Sequence, residues 1–143
     1  MRTVLVLTGP NLNLLGEREP EIYGSDTLED CIDEVRKVAA EHGWRVEALQ
    51  SNHEGALIDA IHAARHRIEA IVINPGAFTH YSYAIADALA LYTGYKVELH
   101  ISNTGAREAW RRTSVIAPVV HGTIAGFGRT GYRLAAEAVV ERA

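Results

Sequence analysis

Five short apolar runs rich in β-branched residues, at 3–7, 45–49, 70–73, 96–99 and 122–125, alternate along this chain with segments of helical period. No other feature narrows the fold as far. Strand–helix alternation needs crossover connections, crossovers are right-handed, and the product is a parallel sheet covered by helices on both faces. Between the first two runs Leu28, Ile32, Val35 and Ala39 recur at helical spacing, with Asp26 and Glu29 reading as a capping box and Gly43 as the stop. Leu57, Ile61, Ala64 and Ile68 mark a second helix. Ile85, Leu89 and Tyr92 mark a third that ends at Gly94, residues 106–112 a short fourth, and the last runs from Thr130 to the chain end.

A five-stranded set of this kind suggests the doubly wound, flavodoxin-like order 2-1-3-4-5 in an α/β domain. The 143 residues read as one such domain, 1–143, long enough to bury a core without disulfide or metal. A net charge of −4, with arginines dispersed along the chain, argues against a nucleic-acid surface. Cys31 stands alone and reads as a small semi-buried side chain. With no basic-then-apolar leader and no apolar run near 18 residues, the expectation is no membrane association and a reducing, cytoplasmic setting.

Open α/β sheets bind ligands beyond the carboxyl ends of their strands. Those ends are polar here: Thr8 to Asn11, Gln50 to His53, Asn74 to His80, and His100 to Asn103. The opposite ends start with residues expected to be solvated, Arg45, Glu69 and Lys96. The pattern points to a small polar ligand. The loop after the first run spans about 17 residues without helical or strand period, a length that is usually functional or disordered.

Within that loop Arg18 and Tyr23 are a candidate pair. A tyrosine ordinarily titrates near ~10, so serving as a base near neutrality costs about 3–4 kcal/mol. One partly desolvated arginine at about 4 Å supplies on the order of 4 kcal/mol. The alternative is a solvated arginine beside a packed tyrosine. Glu98 and His100, two apart on one strand, share a face. A carboxylate there orients the imidazole for general-acid work, or the two form a structural ion pair. Asn74 and His80 flank a Pro-Gly turn and serve either a ligand or the turn itself. Ser102 opens a region whose backbone N–H groups could hold a carboxylate, or is a plain cap.

Other motifs carry less. Residues 126–131 match G-x-G-x-x-G, but too little chain follows to supply a ribose-binding acid, so close packing of strand and helix is the better account. His62 and His66 sit a helical turn apart on a solvated face and lack a third ligand nearby in sequence. The only lysines, Lys37 and Lys96, are misplaced for a Schiff base; if the chain abstracts a proton beside a ketone, it must stabilise an enolate without an imine.

Across nearly its full length the chain closely resembles the type II 3-dehydroquinate dehydratases. The resemblance rests on residues 9–16, on Arg18-Glu19-Pro20 with Tyr23-Gly24, and on residues 50–55. It rests equally on residues 74–77 with Thr79-His80, and on residues 98–103. It implies a flavodoxin-like hydro-lyase, serving aromatic amino-acid biosynthesis (the shikimate pathway), quinate breakdown or a specialised pathway. The reaction would be anti elimination of water from 3-dehydroquinate to 3-dehydroshikimate, with no metal and no organic cofactor. By that likeness Tyr23 is the base and Arg18 keeps it ionised, while Asn11 stabilises the enolate through a water. His100, held by Glu98, protonates the leaving hydroxyl. Asn74, with the backbone of Ile101 and Ser102, holds the carboxylate and a nearby hydroxyl, and His80 and Arg111 contact ring hydroxyls. Asp87 reaches a neighbouring subunit's site in a dodecamer, a tetramer of trimers, and the first loop is a lid.

Thr8, Gly105, Ala109, Trp110 and Thr113 depart from the family pattern beside the site. They leave open a paralogue acting on an amino analogue of dehydroquinate. A non-catalytic flavodoxin-like module that binds the metabolite is a second alternative, and a nucleotide or flavin binder a third.

Overall fold

In the computed structural model of the chain, which describes residues 1–17 and 19–143 with the backbone alone at Tyr23, the five apolar runs become parallel strands. They are β1 (Thr3–Thr8), β2 (Arg45–Gln50), β3 (Ala70–Asn74), β4 (Tyr95–His100) and β5 (Gly122–Ala125). The sheet order is β2-β1-β3-β4-β5, as expected from the alternation. The helices are α1 (Pro20–Tyr23), α2 (Leu28–Glu41), α3 (Glu54–Ala64), α4 (Tyr83–Leu91) and α5 (Thr130–Arg142).

Successive strand residues face opposite sides, so the two-sided apolar runs feed two cores. Val4, Val6, Val72, Val97 and Leu99 pack with α2 and α5. Leu5, Leu7, Ile71 and Ile73 pack with α3 and α4. Each fully buried aliphatic side chain contributes about 1.5–3 kcal/mol relative to exposure. The cover is incomplete at the edges, where most of β2 and the first half of β5 are exposed. The register aligns Thr8 with both Gln50 and Asn74, so the carboxyl ends of the central strands form one row.

Several local expectations shift. The capping box is Thr27 with Asp30, one residue beyond Asp26 and Glu29. Thr27 adopts the extended backbone a cap needs, while the Asp26 carboxylate is drawn 3.2 Å from Arg129 at the start of α5. Helix α3 stops at Ala64, and Ile68 is buried from the chain beyond a left-handed His66. Residues 106–112 do not form one helix: a 3-10 turn, Thr104–Ala106, ends at their start, and a second, Ala109–Arg112, follows Arg107 and Glu108. The long first loop holds a 3-10 turn, Leu12–Leu14, and the single turn α1.

Lys96 is buried rather than solvated. Its Nζ donates to the carbonyls of Leu89 (2.8 Å) and Tyr92 (2.7 Å), satisfying the carboxyl end of α4. The G-x-G-x-x-G segment is a packing device: a Cβ on Gly131 would press on Leu99 at 2.9 Å.

Candidate active site

The site begins where β1 and β3 end side by side. The Gly9 N–H donates to the Asn74 carbonyl at 2.8 Å, and any Cβ on Gly9 would overlap the Pro75 carbonyl. Across the contact Gly76 takes φ +60° against Pro10. Glycine tolerates both demands, and no other residue does so without strain. Asn11 follows in the left-handed region, φ 70°, with its N–H on Asn52 Oδ1 at 3.0 Å. Gln50 Nε2 joins Asn52 Oδ1 and the Gly9 carbonyl, both at 3.1 Å. The polar end of β2, expected to face the ligand, therefore braces the root of the loop, and its residues do not line the cavity.

That cavity has a volume of about 150 Å³, enough elsewhere for one six-carbon ring. Asn11, Asn74, His80, His100, Ile101, Ser102 and Arg111 all line it. Asp87 does not: it is exposed on α4. Arg18 and the Tyr23 side chain lie outside the described residues; the backbone of Tyr23 ends α1.

His100 and Glu98 do share a face, as their spacing on β4 required. His100 Nε2 lies 2.6 Å from Glu98 Oε2. A carboxylate only accepts, so the proton sits on Nε2, leaving Nδ1 as the ring nitrogen able to serve a ligand. Glu98 is fully buried and gains further hydrogen bonds from Thr79 Oγ1 and from Ser114 Oγ, the latter at 2.9 and 3.0 Å. The N–H groups of Ile116 and Ala117 donate to Ser114 Oγ, which turns the hydroxyl proton toward Glu98. Burial pushes the Glu98 carboxyl's pKa up, but the bonds from His100, Thr79 and Ser114 and the His100 charge outweigh it. The net pKa is lowered, so the group is a carboxylate at neutrality.

The rest of the wall is cationic and aromatic. The Arg107 and Arg111 side chains are only 12% and 13% exposed. Arg111 Nε pairs with Glu108 at 3.1 Å, and its guanidinium lies 4.1 Å from the centre of the Trp110 ring. Trp110 also meets His80 edge-on, with centroids 5.1 Å apart. A carbonyl only accepts, so His80 donates from Nδ1 to Thr113 O at 2.7 Å. Arg107 Nη1 donates to Ser102 Oγ at 3.2 Å, and Nη2 lies 3.7 Å from Glu19 in the first loop. Two guanidinia in a ring-sized cavity suit an anionic ligand.

Sequence reasoning missed Arg107, Ser114 and a cavity role for Trp110. Arg107 had a signal, as the partner of Arg111 four residues away. Ser114 reaches Glu98 only through tertiary folding. Among the described residues no three His, Cys, Asp or Glu side chains group as metal ligands, and no helix is long and apolar enough to cross a membrane.

Residues 2–140 match the family described as Dehydroquinase class II. The chain is 52% identical over 141 residues to a 3-dehydroquinate dehydratase of Halalkalibacterium halodurans, covering 99% of this chain and 97% of that one. It is 54% identical over 141 residues to 3-dehydroquinate dehydratase 2 of Pseudomonas aeruginosa, covering 99% and 95%. The crystal structure of a type II dehydroquinase from Butyrivibrio crossotus superposes with a TM-score of 0.93 at 47% identity, covering 96% of this chain and 97% of that one.

Proposed function

The chain belongs to the class II dehydroquinase family, and from that premise we propose that it eliminates water from 3-dehydroquinate through an enolate, with Tyr23 as base and His100 as general acid. The observation that carries the reading is the buried Glu98–His100 pair opening into a ring-sized cavity walled by two guanidinia. The family is one of hydro-lyases.

Tyr23, kept ionised by Arg18, removes a proton from the carbon beside the ketone. The electron pair moves onto the ketone oxygen, where Asn11 stabilises the enolate through a water. His100, protonated on both nitrogens, gives its Nδ1 proton to the C1 hydroxyl. The C1–O bond breaks, water leaves, and the enolate pair closes the conjugated double bond. Glu98 keeps the other nitrogen protonated throughout. Asn74, with the backbone of Ile101 and Ser102, holds the carboxylate; His80 and Arg111 meet the ring hydroxyls. No step calls on a metal or organic cofactor. On this reading Asp87, which does not line this chain's own cavity, serves a neighbouring subunit's site in a dodecamer, and the enzyme works in the cytoplasm.

The test is direct. Mixed with 3-dehydroquinate, the protein generates the ultraviolet absorbance of a conjugated enone. A folded sample that shifts its melting temperature with this compound yet forms no enone is a binding module instead. A substrate panel including the amino analogue shows which compound the enzyme prefers.

A further inference from the structure

We propose that Tyr132 of α5 is a positioning residue for this reaction: its hydroxyl fixes the rotation of the Asn74 side-chain amide and so aims the remaining Asn74 N–H at the substrate. The inference rests on the cavity being the substrate site. Tyr132 lies in the core between α2, α5 and the sheet and is fully buried. Phenylalanine would fill nearly the same volume without burying a hydroxyl, a group that is costly to bury unless it is paired. Its partner is a residue that lines the cavity: Asn74 Nδ2 donates to Tyr132 Oη at 3.0 Å, across 58 positions of sequence.

The other end of the amide is held too. The Gly76 N–H donates to Asn74 Oδ1 at 3.2 Å. A backbone N–H can only donate, so Oδ1 must face Gly76 and Nδ2 must face Tyr132. One N–H of Nδ2 is thereby used, and the second is the donor that Asn74 can offer a ligand. Burial raises the Tyr132 pKa far above the ordinary tyrosine value, so the hydroxyl meets Asn74 as a neutral dipole. Without it the amide is held at one end only, and its carbonyl oxygen can swing toward a substrate carboxylate, where it repels.

Four proteins test this: wild type, Tyr132→Phe, Asn74→Ala and the double variant, assayed by enone formation well below each melting temperature. Tyr132→Phe is expected to lower kcat/KM about threefold to tenfold, the loss of one neutral hydrogen bond. The double variant should match Asn74→Ala, because Tyr132 acts through Asn74. Val139→Ala, which also opens the fully buried face of α5, should lower the melting temperature and leave kcat/KM unchanged. Three results would overturn the inference: wild-type kcat/KM in Tyr132→Phe beside an impaired Asn74→Ala, losses that multiply in the double variant, or an equal activity loss in Val139→Ala. Full activity in Asn74→Ala would remove the reading of the cavity itself, and this inference with it.

Discussion

Glu98→Gln isolates the charge behind the proposed acid while keeping its shape. Glu98 is fully buried and contacts His100, Thr79 and Ser114, not the cavity. Its carboxylate accepts from all three. A glutamine amide offers one accepting oxygen, and its nitrogen donates toward groups already turned to donate. Hydrogen bonds to a charged group are worth about 1.5–3 kcal/mol. If that stabilisation is felt at the imidazolium as it delivers its proton, kcat falls about 10- to 150-fold at roughly 1.36 kcal/mol per decade. KM should change little, because Glu98 does not reach the ligand. Initial rates of enone formation across substrate concentration separate the two parameters. Wild-type kcat in a folded Glu98→Gln protein would mean that the Glu98 charge does not assist the acid, and so would a defect confined to KM.

The same carboxyl sets an acid limit on stability. Its pKa is lowered by folding, so its contribution is complete above the ordinary glutamate value of about 4.3 and is lost as pH falls through the depressed value; melting curves against pH should show the wild-type advantage over Glu98→Gln shrinking below about pH 4. Trp110→Ala removes the faces on which Arg111 and His80 rest, so KM should rise about fivefold or more with kcat largely kept, as read in the same assay. Gly9→Ala forces β1 away from Pro75 and should cost about 1–3 kcal/mol of stability in guanidinium denaturation. Cys31 is buried and its thiol is pushed up to about 12, so thiol reagents should label the protein only after unfolding.

The sheet was legible because short apolar runs alternate with helical periods, and because β1 and β3 carry apolar residues on both faces, as a doubly covered parallel sheet requires. Glu98 and His100 were legible because a spacing of two on a strand fixes a common face. Local ties decided by tertiary partners were not. Asp26 reads as the helix cap in sequence, but its carboxylate pairs with Arg129 from the far end of the chain and Thr27 caps the helix instead. Lys96 resembled a solvated strand start until α4 presented its carbonyls. The groups that tune the site, Ser114 behind Glu98 and Tyr132 behind Asn74, come from distant elements and carry no motif of their own. The Gln50–Asn52 end looked like a ligand surface because its amides are polar, and it spends them on bracing Asn11 and Gly9.

Whether the base and the acid act in separate steps can be read from His100→Ala with 3-dehydroquinate in deuterated water. With the base intact and the acid gone, nuclear magnetic resonance should show deuterium entering the carbon beside the ketone while the enone absorbance stays absent. Enone formation at the wild-type rate would mean that His100 is not the acid.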